Sequence, residues 1–299
     1  MKKALIIGLT VALIFSSCKK DQVDYAAIEQ KTLNEYLQLN YPNVTADKDG
    51  LYTIEETKGT GISPLTTNYV LINYSVARIA SPVSKKIFDT NIESLARENN
   101  LYSKNVHYSS KIWKIENMLK GIKLALNKMK EGGKAKFILP SNLAYEDKEI
   151  GYLPAYSTLI VELELIKVIE NIDAYEKTLI EDYINKSELN YIKTEKGIYI
   201  TIIKNGEGNK YKEKDLVSLS YKGEYLDGII FDSNSNGAPL KFTIGNNNVI
   251  SGFDFAVREL NLGAKARVII PYKLGYGIEG NGSIKGYETL VFEIETNDL

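Results

Sequence analysis

The chain has 299 residues, 44% of them hydrophobic, which is enough for two cores of ordinary size. Its 37 basic and 38 acidic residues nearly cancel, so there is no positive excess to meet a phosphate backbone, and nucleic acid is excluded as an expected partner. One histidine and one cysteine exclude an intramolecular disulfide, a His–Cys metal cluster and the usual hydrolase triads; no metal and no cofactor are expected.

The N-terminus reads as a signal peptide over 1–17: Met1-Lys2-Lys3, an apolar run over 4–15, then Ser16-Ser17. The run is shorter than the roughly 20 apolar residues that cross a bilayer. Cys18 follows directly, and the pattern resembles a bacterial lipobox, in which the thiol is acylated and becomes the first mature residue. The alternative is a plain signal peptide cut near Ser17. Lys19 stands where an inner-membrane retention aspartate would stand, so a lipid anchor through Cys18, a tether over 18–23 and an outer-membrane address on the periplasmic or surface face are expected.

A helix is predicted over 26–39 from the partial stripe Ile28, Leu33, Tyr36, Leu37, ended by Pro42. A similar segment recurs from Asn171, with Tyr36 matching Tyr183, 147 residues later. The spacing persists from Gly50-Leu51-Tyr52 to Gly197-Ile198-Tyr199 and from Tyr74 to Tyr221, then falls to 131 from Leu119 to Ile250, Pro140 to Pro271 and Tyr145 to Tyr276. Sixteen extra residues therefore lie in the first copy between Tyr74 and Leu119, and an insertion is placed at 90–117. Repetition at this length means two homologous domains, 24–170 and 171–299, since solenoid units run at roughly 20–50 residues.

Within the second copy, Val217, Leu219 and Tyr221, then Ala264, Ala266, Val268 and Ile270, then Leu290, Phe292 and Ile294 alternate with their neighbours as half-buried strands do. Asp227-Gly228 is a hairpin turn signal. One short helix is predicted from Ser251, with Phe253, Ala256, Val257 and Leu260 on one face and Ser251 with Asp254 as a capping box. Each domain is thus α+β: an antiparallel sheet on one short central helix, preceded by an N-terminal helix. No flexible linker separates the copies. His107 is expected to be an unremarkable loop residue.

The ordered string Tyr221-Lys222-Gly223, Phe231-Asp232-Ser233, Val249-Ile250-Ser251-Gly252-Phe253, Leu274-Gly275-Tyr276-Gly277 and Thr289-Leu290-Val291-Phe292 resembles FKBP-type peptidyl-prolyl cis/trans isomerases along essentially the whole of 197–297. With the N-terminal signal, the chain is similar to tandem two-domain lipoproteins of Bacteroidetes. The resemblance implies an apolar pocket between sheet and helix, built by the catalytic residues Tyr221, Phe231, Asp232, Ile250, Phe253, Tyr276 and Phe292, with Val249 and Ile284 binding substrate. Phe253 would be the floor, the Ile250 N–H and Tyr276 hydroxyl would hold substrate carbonyls, and Asp232 would accept a hydrogen bond at the rim. Phe253 stands for the usual tryptophan, and Ile284-Lys285-Gly286 for Ile-Pro-Pro.

The first copy implies a second, weaker site from Tyr74, Phe88, Asp89, Met118, Leu119, Ile122, Tyr145 and Leu153, with an aliphatic floor at Ile122 and Val161 in place of Phe292. Trp113 lies in the insertion and does not replace the floor residue by position. The implied activity is isomerisation of proline-containing polypeptides, mainly by the second domain, in the folding or assembly of exported envelope proteins. The alternative is a non-catalytic chaperone or scaffold lipoprotein that holds proline segments, in a motility or secretion machine.

Overall fold

The computed structural model describes residues 23–235 and 237–299. The expected signal peptide and Cys18 lie outside the described residues. In the first repeat, helix α1 (Tyr25–Asn40) is followed by β1 (Tyr52–Thr57), β2 (Tyr69–Ser81), β3 (Ser84–Thr90), α2 (Glu93–Glu98), β4 (Lys111–Lys114), α3 (Lys120–Leu126), β5 (Gly133–Leu139) and β6 (Leu159–Ile169). The second runs α4 (Ile172–Lys186), β7 (Ile192–Lys193), β8 (Tyr199–Lys204), β9 (Leu216–Tyr225), β10 (Ile230–Ser233), β11 (Leu240–Thr243), α5 (Ser251–Arg258), β12 (Lys265–Ile270) and β13 (Leu290–Asn297). Only Glu170 and Asn171 separate β6 from α4, so the junction is as short as the sequence implies.

Both sheets are antiparallel and share one order: β1-β5-β6-β2-β3 in the first, β8-β12-β13-β9-β10 in the second, with β7 added beside β8. The long central strand serves two neighbours. Its first half pairs β4 or β11 and its second half β3 or β10, which bends the sheet around the short helix. Phe253, Ala256, Val257 and Leu260 are at most 3% exposed, so the predicted apolar face of α5 is the one that packs on the sheet. Gly252 permits the close approach: a Cβ there would lie 2.3 Å from Cγ2 of Ile270, and one at Gly121 in α3 would lie 2.4 Å from Cδ2 of Leu139.

Two expectations change. The capping box does not form: Ile250 is the N-cap, the Ser251 hydroxyl donates to the Leu274 carbonyl at 3.3 Å, and Asp254 accepts from the Gly245 N–H at 2.7 Å and Arg258 Nε at 2.6 Å. The neighbouring turn at Gly245 and the chain at Leu274 draw both side chains away from the helix start. The extra residues of the first repeat also fall differently from 90–117. Strand β4 pairs β2 (Val70 opposite Trp113) as β11 pairs β9 (Val217 opposite Phe242), so it belongs to the common fold. The additions are a longer β2–β3 hairpin and the stretch between Asn91 and Lys111 that contains α2.

The leading helices cover the outer faces, a placement that periodicity did not foretell. Leu33, Tyr36 and Leu37 of α1 pack on Ala77, Ile79, Ile138 and Ile160, while Ile180 of α4 packs on Ile269 and Val291. The strands that alternate in sequence are therefore buried on both faces at these positions. A carboxylate fastens each helix. Glu29 accepts from the Ser141 N–H (2.7 Å), the Ser141 hydroxyl (2.5 Å) and the Thr158 hydroxyl (2.6 Å); one oxygen of Glu176 accepts from the Tyr272 N–H and the Thr289 hydroxyl, both at 2.6 Å.

Because Glu176 is only 8% exposed, Glu176→Ala strands two buried donors and is expected to cost about 2–4 kcal/mol in chemical denaturation. Glu176→Gln keeps the accepting oxygen and is expected to cost under about 1 kcal/mol. Burial raises the Glu176 carboxyl above the ordinary range. Its stabilising contribution is therefore whole below the unfolded-state pKa and is lost as pH rises through the folded value, so the glutamine variant gains on wild type from acid to neutral pH.

Candidate functional site

In the second repeat, the end of β9, strand β10 and the start of α5 bring together the residues expected from sequence. Phe253, 3% exposed, lies with its ring centroid 5.0 Å from Phe292, 5.8 Å from Tyr221 and 6.2 Å from Phe242. Phe231 meets Phe292 edge-on at 5.6 Å. Gly223 makes this possible, since a Cβ there would lie 2.6 Å from Phe231 and 2.8 Å from Phe292. Val249, Ile250 and Tyr276 are half-buried against the same cluster, and Ile284 is buried in it.

The polar rim is ordered by a device that sequence reading missed. The Tyr221 hydroxyl donates to Asp232 at 2.5 Å, while Oδ1 of Asn234 accepts from the Tyr221 N–H at 2.7 Å and its amide donates to the Leu219 carbonyl at 3.1 Å. Asn234 thus fixes the strand that carries Tyr221. The first repeat repeats it: Tyr74 donates to Asp89 at 3.2 Å, and Asn91 accepts from the Tyr74 N–H at 2.7 Å and donates to the Ile72 carbonyl at 3.0 Å. The matching quartets Phe88-Asp89-Thr90-Asn91 and Phe231-Asp232-Ser233-Asn234 were the available signal. Burial, reinforced by the neighbouring aspartate, pushes the Tyr74, Tyr221 and Tyr276 hydroxyls upward, so each remains a donor at neutral pH.

The first repeat holds an open cavity of about 310 Å³. Tyr74, Phe88, Asp89, Met118, Leu119, Ile122 and Tyr145 line it; Leu153, 4% exposed, is buried in the cluster behind it, as its counterpart Ile284 is in the second repeat. Trp113 also lines it, 5.1 Å from the Tyr74 ring; as expected it does not take the floor position, which Ile122 keeps, but it stands on a strand of the common fold and not in an insertion. By strand pairing it replaces Phe242, so the aromatic surface comes from β4 where the helix supplies only Ile122. The volumes exchange: Val76 and Val161 stand where the second repeat has Gly223 and Phe292. The first repeat thus has an open cavity over an aliphatic floor, and the second gathers rings around Phe253.

His107 lies in a loop of the added stretch, as expected, but its contacts there reach the second repeat. It is 7% exposed, its Nε2 lies 2.8 Å from Oδ2 of Asp227 in the second repeat, and its ring stacks on Tyr225 at 4.0 Å. The repeats also meet at Tyr69 and Tyr287, whose rings are 5.4 Å apart.

The arrangement offers apolar surface, phenolic donors and a rim carboxylate. It contains no nucleophile–base pair among these residues, which suits a reaction that makes and breaks no bond. The barrier to peptide-bond rotation, about 18–20 kcal/mol, comes from lost resonance. A dry pocket disfavours the planar, strongly dipolar amide, and donors on the flanking carbonyls favour the twisted one.

The family description "FKBP-type peptidyl-prolyl cis-trans isomerase" matches residues 68–166 and 207–297. FK506-binding protein 4 of Neurospora crassa is 35% identical over 115 residues, covering 38% of this chain and 25% of that protein. Peptidyl-prolyl cis-trans isomerase FKBP9 of Mus musculus is 31% identical over 179 residues, covering 56% of this chain and 26% of that one. The chain thus spans about a quarter of the length of these curated relatives. Among solved structures, a peptidyl-prolyl cis-trans isomerase from Pseudomonas syringae is 33% identical, covering 42% of this chain and 92% of its own, with a TM-score of 0.38.

Proposed function

The chain belongs to the FKBP-type peptidyl-prolyl cis-trans isomerase family, and from that premise we propose that it catalyses rotation about Xaa–Pro bonds of polypeptide substrates, mainly in its second repeat. The carrying observation is the ring cage around Phe253 under the Tyr221–Asp232 rim pair. Phe253 meets the proline ring. Tyr276 and the Ile250 N–H hold the flanking carbonyls. In a proline-peptide isomerisation assay on the full chain, Tyr276→Phe and Asp232→Ala are each expected to lower kcat/KM by roughly tenfold, the equivalent of one lost hydrogen bond of about 1.4 kcal/mol. A wild-type rate at background would refute the enzyme reading.

We further propose that the protein is a bacterial envelope lipoprotein, held at the outer membrane through Cys18, that assists folding or assembly of exported proteins. The run over 4–15 followed by Ser16-Ser17-Cys18 supports this reading. Labelling with a palmitate analogue is expected in wild type and absent in Cys18→Ser; persistent label would reject the anchor.

A second reading is favoured by one observation, the open cavity of the first repeat: this repeat binds proline segments without turning them over, as a chaperone or scaffold site in an envelope machine of motility or secretion. Trp113 is the only tryptophan of the chain, so its fluorescence reports on this cavity alone. Titration with a proline peptide should shift its emission, and Ile122→Phe, which fills the cavity, should abolish the shift.

A further inference from the structure

The stretch between Asn91 and Lys111 is what the first repeat has and the second lacks, and it reaches across to the second repeat's site. His107 binds Asp227, which sits in the β9–β10 hairpin turn and accepts from the Ile229 N–H at 3.0 Å. The imidazole also stacks on Tyr225, whose ring lies 5.1 Å from Phe231, a wall of the site. Two residues on, the carbonyl and hydroxyl of Ser109 accept from Lys285 Nζ at 2.8 and 3.1 Å. Lys285 directly follows Ile284, which is buried in the site's cluster. The segment thus grips both loops that border the second site.

The segment is itself held from behind. The Ser109 carbonyl accepts from the Asn91 amide at 3.0 Å, and the Ser110 hydroxyl donates to Oδ1 of Asn73 at 2.9 Å. Asn91 is the residue that orders the rim of the first site. A mere spacer would not bury an imidazole between a carboxylate and a phenol ring, nor hold a half-buried lysine on its backbone carbonyl: partial burial lowers Lys285 to about 8. Buried polar groups are costly unless satisfied, so these contacts define one arrangement of the two loops.

We propose that the 91–110 segment of the first repeat is a working part of the second repeat's site. His107 and Ser109 act as positioning residues that fix the Phe231 wall and the 284–286 loop, and so set which residues flanking proline are accepted. This rests on the reading of the second repeat as an isomerase site. It also implies that the second repeat cut out alone lacks part of its own rim.

The test uses the full chain and tetrapeptides Ala-Xaa-Pro-Phe with Xaa leucine, alanine or glutamate. Asp232→Ala first defines the second site's share of the rate. His107→Ala and Lys285→Met are then each expected to raise KM about threefold to tenfold, with a smaller fall in kcat, and to change the leucine-to-glutamate ratio of kcat/KM by about threefold or more. His107→Gln, which can still donate to Asp227, should recover part of the wild-type ratio. Lys285→Met reports from the opposite side of the contact should a His107 variant fail to fold, judged by circular dichroism. If Asp232→Ala leaves the rate unchanged, the site reading fails. If Asp232→Ala lowers it but His107→Ala and Lys285→Met keep wild-type KM and ratios, the positioning role is overturned.

Discussion

Arg267→Ala is expected to destabilise the second repeat by about 3–5 kcal/mol, because it leaves a buried carboxylate without its main partner. Glu224 is 5% exposed and forms a close ion pair with Arg267 Nη2, which also donates to the Tyr183 hydroxyl at 3.0 Å. One guanidinium therefore joins β12, β9 and α4. With it gone, Glu224 keeps Lys222 Nζ at 3.3 Å. Replacing both partners, Arg267→Met with Glu224→Leu, should cost far less or even stabilise, since neither charge is then buried. The first repeat has Ala77 and Lys136 at the matching places, and Lys136 pairs instead with Glu55 and Glu162 at 3.2 and 3.4 Å. In urea unfolding the second repeat's transition should shift while the first's stays in place.

Phe253→Ala is expected to cost about 3–5 kcal/mol and to abolish isomerisation by the second repeat. The ring is almost wholly buried and touches Tyr221, Phe242 and Phe292, so its removal opens a cavity that the neighbouring strands cannot close without breaking their pairing. Phe253→Leu separates the two effects: most of the packing volume stays, and the aromatic floor is lost. Full isomerisation in a folded Phe253→Leu variant would show that the floor need not be a ring. The first repeat already carries the aliphatic choice at Ile122, with Trp113 brought in from β4.

Much of this architecture was legible in the amino-acid order. The duplication, the strand alternation, the apolar face of α5 and the Asp227-Gly228 turn depend on short-range periodicity and local backbone preference, which act within a few residues. The resemblance implied the site residues of both repeats, and the fold brings them together in two clusters. Asn91 and Asn234 were readable in principle from their matching quartets, but asparagine in a loop has many uses, and only its two bonds to a neighbouring strand reveal this one.

Other features had no local signature. Leu33 and Ile180 do not announce which face of which sheet they cover, because a helical stripe specifies that a face is buried and not against what. Trp113 entered the first cavity through its register on β2, a pairing with Val70 across more than forty residues of chain. His107 is 120 residues from Asp227 and stood alone as a motif. Local order thus determined the elements and the repeat. Tertiary packing decided that rings gather around Phe253, that Trp113 joins the first cavity, and that a segment of the first repeat borders the second, because these depend on contacts between parts of the chain whose mutual distance no period encodes.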